Sequence, residues 1–372
     1  MYSQNDLDEA VASGALSADA AAAIRNFVAQ QRSLPLVDEE HFRLITGFND
    51  IFVSIAAAIL LFAVGWIGHS VGSGLGLVVG GDGPSPLAPL GVAAVAWGLA
   101  LFFTARRRMA LPSILLLLAF VGGVFLTAGI GLAMLVQDPP TDQEAIYVGI
   151  VASLSGLIAA AAAWLHWKRF KVPITVAAGG AAVSAIAIGL LIAIAGDVEG
   201  IRDLLLGFVL VLGIGMFLFA MRWDSSDPAR VTRRSDVAFW LHLLAAPMIV
   251  HPVFTLLGLN DGNATIAEGL IVVLLYIALG VTALAIDRRA LLVSALAYVL
   301  FALQALFREF GAVELNVALT ALVIGSSLLL LSAFWHQARV MVVRPLPEGL
   351  RDKLPNLNRP VIDKDVSPAP AA

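Results

Sequence analysis

One apolar stretch of the chain holds the residues best suited to chemistry: Val237-Ala-Phe-Trp-Leu-His-Leu-Leu-Ala-Ala-Pro-Met-Ile-Val-His-Pro. His242 and His251 bring imidazoles, which can move protons, bind metals or hydrogen-bond a solute. Pro247 and Pro252 each remove a backbone donor and free a carbonyl that can hold a polar group inside a helix bundle. The histidines are nine positions apart. On a straight helix that is about 13 Å of rise and about 180° of rotation. They face opposite ways unless Pro247 bends the helix, so a shared metal site is not expected. The reading is a helix kinked near Pro247 inside the protein. His242 (the deeper imidazole), His251 and Pro247, with Gln304 farther along, are the candidates to line a cavity. In the alternative, each histidine simply hydrogen-bonds a neighbouring helix, and Gln304 does the same.

Other chemistry is sparse. The chain has no cysteine, which excludes disulfides, thiolate metal sites and cysteine nucleophiles. It contains no Walker A sequence, HExxH, GxSxG or nucleic-acid module. No catalytic residue, metal, cofactor or nucleic-acid partner is therefore expected. No apolar stretch has a carboxylate, lysine or arginine near its centre, which argues against an acidic proton relay and against a voltage sensor. Asp50, Asp236 and Glu268 stand at the starts of apolar stretches and read as helix caps facing the positive dipole end. His69 and His166 read as interfacial, with Trp164 and Trp167 as an aromatic belt. The segment 70–86 has Gly72, Gly74 and Gly76 but no complete GxGxxG, and reads as a loop.

The elements that must position these residues follow from composition. Of 372 residues, 59% are hydrophobic and 13% charged, against about 45–50% and about 25% in ordinary globular chains. So few charges cannot cover a water-facing surface, and apolar runs of 18 or more are read as membrane spans. The expected fold is an all-α polytopic membrane protein with about ten transmembrane helices, near 49–68, 87–104, 111–136, 145–165, 173–195, 204–221, 237–258, 266–286, 290–307 and 316–335. All basic residues but Arg202 and Arg308 fall in alternate connections and at the two ends. The excess of Lys and Arg on cytoplasmic loops then puts both termini in the cytoplasm. Small residues recur on the fifth span at Ala177, Ala181, Ala185, Gly189 and Ala193. The fourth answers with Ala152, Gly156 and Ala160, and with Ser155, Ala159 and Ala163. Such spacing lets helix backbones approach closely, so these two spans should form a tight hairpin.

Three regions emerge. Residues 1–47 are an acidic helical hairpin, with one helix stopping at Gly14 and a second opening at Ser17. Residues 48–336 form the transmembrane domain. Residues 337–372 are a cytoplasmic tail, largely disordered in its proline-rich last part, whose stretch from Arg339 to Leu354 is suited to rest on anionic headgroups. A weak parallel repeat relates the first span, entered through Asn49-Asp50, to the seventh, entered through Ser235-Asp236.

Leu7–Arg32, with its Gly14-Ala-Leu-Ser17 turn, and Phe42-Arg-Leu-Ile-Thr-Gly-Phe-Asn-Asp-Ile-Phe-Val53 together resemble a group of bacterial polytopic membrane proteins of unknown function. The resemblance covers roughly the first 70 residues and implies a multi-pass protein of the bacterial inner membrane. The group has no established catalytic residues, so it implies none here. The expected role is a non-catalytic membrane protein in contact with the lipid bilayer, whose cytoplasmic ends, residues 1–47 above all, bind a partner protein. The alternative is a transporter or flippase-like protein for an unidentified small molecule, with its cavity near the seventh span. Deletion of residues 1–40 is expected to leave membrane insertion intact, as read by membrane fractionation, because the first span and Arg43 remain.

Overall fold

The computed structural model describes residues 10–23, 48–136, 143–196, 198–227, 232–258, 266–289 and 316–351, with isolated positions besides. It is helical, with no strand among the described residues. The helices are α1 (Phe48–Gly74), α2 (Leu87–Phe103), α3 (Ala110–Leu135), α4 (Glu144–Phe170), α5 (Ile174–Ala195), α6 (Ile201–Ser225), α7 (Arg233–Leu256), α8 (Ile266–Ile286), α9 (Asn316–Ala333), α10 (Trp335–Val343) and α11 (Glu348–Arg351). Six of them (α1, α3, α4, α5, α6 and α7) are long and apolar enough to cross a membrane. α2 and the 270–286 part of α8 are shorter apolar helices. Residues 321–333 of α9 and the whole of α10 meet at a bend of 76°, and counted as one broken span they raise the number to seven. The chain is thus a multi-pass, all-helical membrane protein. Apart from Leu292, Leu296 and Leu300, the expected ninth span at 290–307, Gln304 with it, and the side chain of Glu268 lie outside the described residues.

In the N-terminal segment only residues 10–23 are described. There Gly14 adopts φ +74 and its N–H bonds Val11 O at 3.1 Å, ending the first helix. Ser17 Oγ accepts from Ala20 N at 3.1 Å and opens the second. Both are the local devices that the residue types lead one to expect.

Packing is inverted relative to a water-soluble protein. The buried apolar positions are dominated by alanine: Ala57, Ala93, Ala96, Ala100, Ala159, Ala163, Ala245 and Ala246. Large side chains point outward, among them Phe52, Ile59, Phe62 and Trp66 on α1 and Val211, Leu218 and Phe219 on α6. Lipid tails solvate these as well as a protein interior would, so the interior is given to residues that let helices close on one another. An aromatic cluster joins the first half. The rings of Trp97 on α2 and Phe120 on α3 are 4.9 Å apart, Trp97 and Phe170 5.1 Å, and His166 and Phe170 4.6 Å. His166, expected at the membrane interface, turns inward among these rings and is fully buried. Its Nδ1 meets Thr175 Oγ1 at 3.2 Å, tying α4 to α5.

α4 and α5 are the most extensively packed pair, as a tight hairpin requires, but the contact line differs from the expected one. Ala177 and Gly189 are buried, Ala185 is half-buried, and Ala181 is exposed. A strict four-residue repeat drifts by about 40° per step on a helix of 3.6 residues per turn. It therefore cannot stay on one face over five positions. The contact instead follows Ala182, Ile186, Gly189 and Ala193 on α5, against Gly149, Ser153 and Gly156 on α4. A Cβ at Gly189 would stand 2.5 Å from Ser153 Oγ and 2.6 Å from Gly149 O. One at Gly149 would stand 2.4 Å from Ala193 N and 2.5 Å from Gly189 O. Ser153 Oγ also donates to Ile186 O at 3.2 Å across the interface. Ala177 faces the other way, in a cluster with Ala220, Val237 and Leu241.

Gly189→Leu and Gly149→Ala should lower the melting temperature in detergent, at a cost of about 1–3 kcal/mol each for overpacking. Gly215→Ala, at a position with nothing within 4 Å of the added Cβ, should be neutral or slightly stabilising.

Candidate functional site

Asp224 lies in the last turn of α6 and is 1% exposed. The sequence reading ended the sixth span at 221, which left this residue in a basic connection. The helix instead continues to Ser225 and carries the carboxylate into the protein. Two cationic or cation-capable side chains meet it there. His242 Nε2 is 3.0 Å from Asp224 Oδ2. Arg288 spans both oxygens, with Nε 3.2 Å from Oδ2 and an Nη hydrogen bonded to Oδ1. The same Nη donates to Ser235 O at 3.0 Å and reaches Ser235 Oγ at 3.3 Å. His242 is fully buried and Arg288 is 3% exposed. The cluster thus knots the end of α6, the first turns of α7 and the chain just after α8.

Local structure aims each group. α7 is capped by Thr232, whose Oγ1 accepts from Arg234 N at 3.2 Å. Asp227 Oδ2 in turn accepts from Thr232 N at 2.9 Å and Thr232 Oγ1 at 2.7 Å. The cap of this helix is therefore Thr232 and not Asp236. Asp236 lies within the first turn, inside the field of Arg288 and Arg233. At the end of α8, Asp287 adopts φ +56. Asp287 N donates to Leu284 O at 3.3 Å and Arg288 N to Ala283 O at 2.8 Å. This is the paired hydrogen-bond pattern of a left-handed helix stop. It swings Arg288 back into the bundle, although in the sequence this residue belongs to a basic connection.

The knot extends to the segment after the last span. Trp335 Nε1 donates to Asp287 Oδ1 at 2.8 Å, and Arg339 Nε lies 3.8 Å from the same oxygen. Arg339 also donates to Pro355 O, and the guanidinium of Arg289 sits 4.7 Å from the Trp335 ring centroid. The stripe Trp335, Arg339 and Val343 is buried. Within the stretch from Arg339 to Leu354, Arg339 is thus held against protein, while Met341 and Arg344 are exposed.

Of the candidate cavity residues that are described, His242 is separated from His251 and Pro247. His242 is buried, its ring 5.1 Å from that of Phe217 in a T-shaped contact. His251 and Pro247 are exposed, and Gln304 is outside the described residues. α7 runs as one helix with both prolines inside it, and the two histidines face opposite ways, as nine residues of unbroken helix require. No three His, Asp or Glu side chains converge as metal donors among the described residues. Chemically, the arrangement pairs charges. The Ser235 hydroxyl meets Arg288 at 3.3 Å, a cation rather than a base that could take its proton, so this contact does not activate it as a nucleophile. Asp224 and Arg288 were missed in the sequence. Their one visible signal was a pair of acids, Asp224 and Asp227, inside a connection otherwise basic.

The class that fold and site define is a multi-pass helical membrane protein with a buried carboxylate–guanidinium–imidazole cluster at one end of three helices. No family model, curated protein or solved structure matches the chain.

Breaking a buried ion pair by removing one partner costs about 3–5 kcal/mol, because the remaining charge is stranded. Asp224→Leu and Arg288→Met should each lower the melting temperature sharply in detergent, and Asp224→Leu/Arg288→Met together should cost less than the sum of the singles. A thermal-unfolding double-mutant cycle measures this directly.

Proposed function

We propose that this is a non-catalytic integral membrane protein of the bacterial inner membrane, with ten spans and both termini in the cytoplasm, whose cytoplasmic ends bind partner proteins. The observation that carries the reading is the pairing of the buried Asp224 carboxylate with Arg288 and His242. Asp224, Arg288, His242 and Ser235 are joined in one hydrogen-bonded network, and Asp287 binds α10 to the same end of the protein. Groups so occupied hold helices in place and anchor the segment that leads to the tail. The distribution of Lys and Arg supports the assignment of this end to the cytoplasm. The likeness of Leu7–Arg32 and Phe42–Val53 to bacterial membrane proteins of unknown function supports the choice of membrane.

A transporter or flippase-like activity is the second reading. One observation favours it: ionisable side chains held inside an apolar helical body mark solute or proton paths more often than they occur for stability alone. Under this reading His242 and Asp224 form the site that takes up the proton or solute.

Two measurements separate these readings. Photo-crosslinkers placed in residues 1–47 should capture a defined protein in native membranes, and proteoliposomes should show no saturable uptake. Uptake that disappears with His242→Leu at normal protein level reverses the order. The absence of native cysteine makes the topology directly readable. Cysteines introduced at Ser226 and Arg344 should react with an impermeant thiol reagent only from the cytoplasmic side, and those at Ser73 and Val198 only from outside. Any other pattern removes the assignment of sides.

A further inference from the structure

A groove of ≈ 320 Å³ runs along the outer surface where α4, α5 and the end of α6 meet. Its floor is made by small residues, Ala160, Ala163 and Gly179, and its walls include three indoles, Trp164, Trp167 and Trp223. Trp164 and Val183 are more than half exposed, so the groove opens to the lipid side of a membrane protein. Two ammonium groups stand on its rim. Lys168 Nζ lies 3.8 Å from the centroid of the Trp164 ring, and Lys171 Nζ lies 5.2 Å from that of Trp167. Lys171 is fixed there by the stop of α4: it adopts φ +56, and its N–H bonds Trp167 O at 3.0 Å.

Among the described residues no carboxylate pairs with the charge at this rim. Lys168, Arg169 and Lys171 are exposed, and none makes an ion pair with a described residue. Elsewhere on the protein Arg288 and Arg339 each have a carboxylate. An apolar channel floored by alanine and glycine, flanked by indoles at the level where indoles prefer the water–lipid boundary, and topped by free ammonium groups has the polarity gradient of one molecule class. We infer that this groove holds a single anionic glycerophospholipid, with an acyl chain along Ala160, Ala163 and Gly179 and its phosphate on Lys168 and Lys171. The charge complementarity selects an anionic headgroup over a zwitterionic one. The groove selects a lipid over a free anion. The adjoining residue to Trp223 is Asp224, so the lipid stabilises the same end of α6 that the buried cluster holds.

The test is native mass spectrometry of the full chain, released from detergent after incubation with phosphatidylglycerol or with phosphatidylcholine of the same acyl chains. The wild type should keep one phosphatidylglycerol in preference to phosphatidylcholine. Lys168→Gln/Lys171→Gln should reduce that retention by roughly tenfold, to the phosphatidylcholine level. Arg106→Gln/Arg107→Gln, elsewhere among the basic connections, should not reduce it. Gly179→Leu should abolish retention of both lipids. A Cβ at Gly179 meets only Ala163 Cβ, at 3.7 Å, so the larger side chain enters the groove without a backbone clash. The melting temperature in lipid-free detergent checks that this variant is folded, and if it is not, the lysine pair still decides. Excess inorganic phosphate and a short-chain phosphatidylglycerol should both fail to displace the long-chain lipid. Equal retention of the two headgroups, unchanged retention in the lysine variant, an equal loss in the arginine variant, or displacement by phosphate would each overturn the inference.

Discussion

A carboxylate without access to water must find its counter-charge within the protein, and Asp224 does so by drawing Arg288 and His242 onto its two oxygens. Coulomb attraction at this depth is strong only because solvent is absent, and the same absence makes an incomplete pair costly. Much of the second half of the structure is arranged so that the pair is complete. α6 continues past the apolar limit of its span to deliver the carboxylate. The Thr232 cap fixes where α7 begins, and a left-handed stop at Asp287 returns Arg288 to the bundle. The Asp287 side chain then binds Trp335, which connects the 76° turn between α9 and α10 to the same network.

The first half is held by a different constraint. Without a hydrophobic driving force between helices, contact depends on how closely backbones approach. Gly149, Gly156 and Gly189 meet opposing backbone or hydroxyl atoms at distances that leave no room for a Cβ. Ser153 fits into this line because its hydroxyl satisfies itself on Gly149 O and Ile186 O. The aromatic cluster of Trp97, Phe120, His166 and Phe170 fills the wider space between α2, α3 and α4. The groove floored by Ala160, Ala163 and Gly179 comes from the same choice of small residues. Where they face a neighbouring helix they close a contact, and where they face outward they leave a channel.

The histidine pair shows how one sequence feature separates into two environments. His242 and His251 share a helix, and both read as candidates to line a cavity, His242 as the deeper of the two. In the structure one is sealed against Asp224 and Phe217 and the other is exposed. The difference is rotational: nine residues on an unbroken helix turn the second imidazole away from the face that the first presents.

The sequence by itself determined the solvent and the type of element. The shortage of charge and the apolar runs of 18 or more pointed to a helical membrane protein, since a helix satisfies its own backbone in lipid and a barrel strand needs only about 9–11 residues. Gly14 and Ser17 determined local stops and starts, because capping is decided by adjacent residues. The α4–α5 hairpin was legible from its alanines and glycines, but its contact line was not, since a four-residue repeat drifts around a helix and the true line alternates steps of three and four. The pairing of Asp224 with Arg288, 64 residues away, was decided only by the tertiary structure. In the sequence both residues sit among the charges of connections, where exposure to water is the ordinary expectation. Which charges are exposed and which are buried depends on how far each helix continues and where its stop points the next residue, and that is settled only when the helices pack.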